Sequence, residues 1–173
     1  HGYDVSGLVT AFKGSRQMSR QLAQPAKAQL FDFKVPTPTA LTELYSAFNL
    51  NTTADLTSMR ARAAVAGQAM VNGVSNVISV SLANGLDDHF DLFGQQAVSQ
   101  QAGWDSLGRL VAYLKSKQVP GLGKTFWECT SMMVFSEFSR TPMINTREGR
   151  DHHLTSSCLV AGPGIKGNTV FGA

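Results

Sequence analysis

The sequence is poor in charge and in cysteine, and each shortage removes a class of function. Charged residues make up 16% of the chain and the formal net charge is only +3, too small and too dispersed to define a nucleic-acid-binding surface. With only Cys129 and Cys158 present, a structural zinc site built of cysteines is excluded. The two read as free buried thiols; a disulfide between them would need adjacent strands and an oxidising compartment. No apolar run approaches the roughly 20 residues needed to cross a bilayer. No basic start followed by an apolar segment and a small-residue cleavage site is present. Two common catalytic signatures are also missing: the G-x-S-x-G nucleophile elbow and the glycine-rich phosphate loop with its lysine.

What is there suffices for a core. Hydrophobic residues make up 43% of 173 positions, a globular composition for a chain of one-domain length. The sequence starts at His1 and stops at F-G-A, which reads as a processed or partial chain.

Residues 15–33 carry a helical pattern that Pro25 should split. Thr37 and Pro38 predict a helix start, with Leu41, Leu44, Tyr45 and Phe48 as one apolar stripe. A second helix is expected after Thr52 or Thr53, with Leu56, Met59, Ala63, Ala66 and Met70 at three-to-four spacing and an end near Gly73. Residues 76–82, N-V-I-S-V-S-L, alternate as a strand does. A long helix to about Val119 would bury Trp104, Leu107, Val111 and Leu114, with Lys115 and Lys117 complementing its dipole. P-G-L-G at 120–123 breaks it. Residues 126–135 read as a buried strand, followed by a loop of about 18 residues, long enough to suggest function. Residues 156–161 form the next strand. This order predicts an α/β fold with a parallel or mixed sheet. Residues 1–75 would be a mainly helical segment packing on or capping the sheet, and residues 76–173 the α/β core segment carrying the site, together one incomplete domain.

Two polar clusters follow the strand patterns: G-L-D-D-H at 85–89 and S-E-F-S-R…G-R-D-H-H at 136–153. Open α/β sheets keep their ligand sites at such strand ends. On an extended segment Asp87 and His89 point to the same side and can reach one divalent ion. The competing reading is a solvated turn, with Asp91 facing the next helix's N-terminus. Glu137 is either a ligand or the ion-pair partner of Arg140. In Asp151-His152-His153 only one histidine can face a given ion, and Arg140, Arg147 and Arg150 add a positive field suited to an oxyanion.

The motifs F-S-E-F-S-R-T-P-M-I-N, G-R-D-H-H and A-G-P-G-I-K-G-N, with the upstream G-L-D-D-H, resemble those of a large family of exported bacterial proteins of unknown function. That family is grouped by fold with alkaline phosphatases and sulfatases. The resemblance implies a doubly wound, mostly parallel α/β sheet and a divalent metal of the zinc, calcium or magnesium class. It matches Asp87 and His89 to a first metal's pair, His152 to that metal's later histidine and Glu137 to a second-site aspartate. Asp151 joins the candidate metal ligands, and Arg140 and Arg150 the candidate oxyanion groups, on the reading of the residues themselves. Phe138 stands where the superfamily has a second-site histidine, and Ser139 where the family has glycine. The superfamily nucleophile would precede this chain, making the missing N-terminal part of the same protein its partner. The implied activity is metal-assisted hydrolysis of phosphate or sulfate esters in the periplasm or outside the cell. The alternative is a non-catalytic member acting in cell-surface assembly or binding.

Overall fold

The computed structural model describes Gly7, Thr10, Lys13, Gly14, residues 25–90 and residues 92–172. Residues 15–24 of the first helical pattern, and Asp91, lie outside the described residues. One helical turn, α1 (Pro25–Ala28), runs into a 3-10 turn at Gln29–Phe31. A second 3-10 turn (Thr39–Leu41) leads into α2 (Thr42–Phe48), and a third (Ala54–Thr57) precedes α3 (Met59–Val71). Helix α4 (Leu92–Ser116) is followed by the strands β1 (Met132–Phe135), β2 (Ser139–Arg140), β3 (His152–His153) and β4 (Cys158–Ala161).

The core is helical. The expected stripe on α2 is buried as a unit: Leu41 and Phe48 are fully inaccessible, and Leu44 and Tyr45 nearly so. The helix stops at Asn49, which takes the left-handed conformation with φ 52°. Helix α3 starts five or six residues later than the sequence predicts. Ser58, not a threonine, is its N-cap, accepting from Ala61 N. Its small residues Ala61, Ala63, Ala64 and Gly67 are buried, which lets α4 cross closely. A Cβ on Gly67 would lie 2.9 Å from a Tyr113 ring carbon. The buried polar groups at this crossing are paired: Tyr113 donates its hydroxyl to Gln68 Oε1 at 3.3 Å, and Gln68 donates to Leu30 O at 3.3 Å.

Helix α4 is rotated from its predicted face. Leu107 and Leu114 are buried with Ser106, Leu110 and Tyr113, whereas Trp104 is 51% exposed. Gly103 occupies the buried position instead, because Leu82 O passes where its Cβ would stand, at 2.6 Å. That contact seats Leu82 and Ala83 against α4, a few residues ahead of Asp87.

The doubly wound, mostly parallel sheet does not form. The described residues hold two antiparallel two-stranded sheets, β1 with β4 and β2 with β3. Met132 pairs with Ala161 and Phe135 with Cys158, while Ser139 pairs with His153 and Arg140 with His152. A parallel pair needs a crossover, usually helical. The segment between β1 and β4 contains no helix and closes on itself through β2 and β3, so the two outer strands return antiparallel. Residues 76–82 keep the predicted alternation, with Ile78, Val80 and Leu82 half-buried and Val77, Ser79 and Ser81 exposed, but join no ladder. The buried strand expected at 126–135 shortens to β1, where Phe135 is 70% exposed. Cys129 and Cys158 are free, as expected, but exposed rather than buried. Among the described residues, no helix is long and apolar enough to cross a membrane.

Candidate metal centre

The site is assembled by a clamp between two segments. Asn145 organises one side: its Oδ1 accepts from Arg147 N at 2.9 Å and Gly149 N at 3.0 Å. This local turn holds Glu148 at φ 61°, a left-handed conformation costly for a residue with a Cβ. Phe90 then forms an isolated antiparallel bridge with Glu148, and Arg150 N donates to Asp88 O at 3.1 Å. Gly149 lies so close to His89 that a Cβ there would overlap the histidine's backbone carbonyl. Only glycine permits this approach. The G-R-D-H-H motif of the loop therefore encodes packing against the D-D-H segment as well as chemistry.

The clamp brings Asp87, His89 and His152 together. Asp87 Oδ1 stands 3.0 Å from His152 Nε2 and 3.3 Å from His89 Nε2, and the two Nε2 atoms are 3.1 Å apart. Three donors at the corners of a tetrahedral zinc with bonds of about 2.0–2.1 Å would be separated by roughly 3.3 Å. The donor set, two imidazoles and one carboxylate, therefore suits a divalent ion in both type and spacing. Asp87 is 72% exposed, which leaves the cluster open to an incoming ligand.

Asp151 stands behind the cluster. Its Oδ1 lies 3.0 Å from His89 Nδ1 and accepts from Asn145 Nδ2 at 3.2 Å. A carboxylate at Nδ1 fixes the proton there and leaves the Nε2 lone pair facing the cluster. The bond to His89, then that from Asn145, lowers the Asp151 carboxyl below its ordinary value. Asn145 also donates to His89 O at 3.3 Å, so one side chain ties the orienting carboxylate, its histidine and the turn.

Arg140 and Phe138 complete the wall. Arg140 donates Nη2 to Asp87 Oδ1, and its Nη1 lies 3.3 Å from His89 Nε2 and donates to Arg150 O at 3.1 Å. Hydrogen bonds from Arg140 and His152 hold Asp87 at about 2. Phe138 stacks on His152, with centroids 4.1 Å apart, and its ring lies 5.6 Å from the Arg140 guanidinium carbon. It thus holds two functional side chains by their faces.

The other candidates lie elsewhere. Glu137 is exposed and outside the three-residue cluster, and Arg140 pairs with Asp87 rather than with it. Arg150 spends Nη1 on Thr141 O at 2.9 Å and Pro142 O at 2.7 Å, bracing the loop. His153 turns away to Thr155 Oγ1 at 2.7 Å, in keeping with the rule that adjacent strand residues face opposite sides. Asp88 carries a buried Oδ2 with no hydrogen-bond partner. Asn145 and Gly149 had no role in the sequence reading. The N-x-x-x-G spacing just before Asp151 is the signal that could have found them.

Helical core, antiparallel clamp and an Asp-His-His cluster define a candidate metal-binding protein. The chain belongs to the family described as Protein of unknown function (DUF1501), whose profile matches residues 8–173. No curated protein and no solved structure matches it.

Proposed function

We propose that this protein holds one divalent metal ion on Asp87, His89 and His152 and uses it to hydrolyse phosphate or sulfate esters outside the cytoplasm. The observation that carries the reading is the convergence of three donor atoms at 3.0–3.3 Å, backed by a carboxylate on the far nitrogen of His89. A bound divalent ion supplies Lewis acidity toward an ester oxygen and lowers the pKa of coordinated water. Asp87 contributes the negative charge of the ligand set, and Asp151 keeps the His89 proton on Nδ1. Phe138 fixes the plane of His152 by stacking. Arg140, at the edge of the cluster, offers guanidinium N–H groups to the ester's anionic oxygens. Arg150 supports it indirectly through the loop and its own carbonyl.

A second reading, a non-catalytic member with one ion and a binding role, draws support from two residues. Glu137 lies outside the cluster, and Phe138, which stacks on His152, has no atom able to bind a second ion.

Metal content and affinity of the protein, beside those of His89→Ala and His152→Ala, test the metal site directly. Assays with p-nitrophenyl phosphate and p-nitrophenyl sulfate then separate the readings. Stoichiometric metal, lost in both variants, together with ester turnover is the expected result. Bound metal without turnover would favour the binding role. A metal-free protein whose variants match it in stability would overturn both.

A further inference from the structure

Arg140 occupies an unusual position for a residue that serves an anion. Its guanidinium is engaged with the same two atoms, Asp87 Oδ1 and His89 Nε2, that the metal reading requires. Guanidinium is a permanent cation with donors only, so it and a divalent ion make equivalent demands on these lone pairs. Both cannot hold Asp87 Oδ1 and His89 Nε2 at full strength.

We infer that Arg140 and the divalent ion compete for Asp87 and His89, so that metal binding turns the guanidinium out of the cluster and makes it available to an anionic ligand. The inference rests on the proposed metal site. Proton bookkeeping agrees with it. With Asp151 holding the Nδ1 proton, His89 presents a lone pair to Arg140 Nη1. His152 Nε2, 3.0 Å from the Asp87 carboxylate, is the donor of that pair. Asp87 Oδ1 thus accepts from Arg140 and His152. A metal ion there displaces the Arg140 N–H group, and His152 then carries its proton on Nδ1 so that its Nε2 lone pair is free to bind. The arginine would not drift far. Its Nη1 bond to Arg150 O and its position over Phe138 are independent of Asp87, so the fork pivots beside the cluster.

The consequence is ordered binding: an oxyanion such as phosphate binds well only after the metal. Competition makes a prediction opposite to that of ordinary structural support. Removing a supporting residue weakens metal binding, whereas removing a competitor strengthens it.

The test is calorimetric titration of zinc into the full chain carrying Cys129→Ser and Cys158→Ser, since both thiols are exposed. Arg140→Gln should bind zinc roughly tenfold tighter, the scale of one charge-assisted hydrogen bond. Inorganic phosphate should bind the parent protein only with zinc present, and Arg140→Gln not at all. The Arg140 side-chain nitrogen resonances should shift on zinc addition and again on phosphate addition. If Arg140→Gln does not fold, Arg140→Lys, which keeps the charge but loses the fork, should move zinc affinity in the same direction by less. Unchanged or weaker zinc binding in the variant that folds would overturn the inference. A parent protein that takes no zinc would instead overturn the metal reading itself.

Discussion

His89 Nδ1 and Asp151 Oδ1 stand 3.0 Å apart although 62 residues separate them in the chain, and this pair decides which face of the imidazole is free. Asp151→Asn should therefore disturb more than charge. An amide can turn its NH2 toward Nδ1 and force the proton to Nε2, where the cluster needs a lone pair. Zinc affinity should fall roughly 10- to 100-fold, the range for lost partners behind a metal ligand. Nitrogen-15 spectra of His89 should report the change of tautomer. An unchanged tautomer with unchanged affinity would remove Asp151 from the site.

Gly149→Ala should separate the two halves of the clamp. A methyl group there meets backbone rather than a yielding side chain, so the loop must move as a body. The expected cost is about 1–3 kcal/mol, as for overpacking elsewhere, with near-complete loss of metal binding. Thermal unfolding and metal titration together check it; wild-type behaviour in both would contradict the close approach.

Asp87 should remain ionised well into acid. Its value, about 2, lies below the ordinary 3.8, so its pairing contributes fully above about pH 4 and is lost as the pH falls through about 2. Carbon-13 titration of the Asp87 carboxyl checks the midpoint. Arg140→Gln, which removes the largest cause, should move that midpoint up toward the ordinary value, and a wild-type midpoint already near 4 would rule out the pairing in solution.

Gly67→Ala weighs two opposed effects. Alanine gains roughly 0.5–1 kcal/mol of helix stability over glycine, but its Cβ meets the Tyr113 ring at 2.9 Å and Leu110 at 3.1 Å. Overpacking of about 1–3 kcal/mol wins, and the melting temperature should fall. A rise would mean that α4 yields readily.

Local periodicity made the helices legible. Leu41, Leu44, Tyr45 and Phe48 repeat at helical spacing, and all four are buried. The pairing of strands was not legible, because an apolar run such as T-S-M-M-V-F-S states that a segment is extended without naming its neighbour. Residues 76–82 make the point: their alternation is realised in burial but not in a ladder. At the site, Asp87 and His89 were readable as a pair two apart. His152 came from resemblance, and Asp151, expected among the ligands, lies against the far nitrogen of His89, outside the three-atom cluster. That distinction depends on how the 145–150 turn closes on residues 88–90, a long-range event that no local pattern records.

The Asn145 turn has a consequence for how the protein responds to its ligand. Because one side chain closes the loop, anchors His89 O and holds Asp151, the site exists only when distant stretches of chain have met. An ion that binds the closed clamp and ignores the open chain adds its binding free energy to stability, about 2.7 kcal/mol at a hundredfold excess over Kd. Zinc should then slow amide exchange at Gly149 and Arg150 before it affects the α3–α4 crossing, so the ion would act as a latch on one region rather than as a general stabiliser.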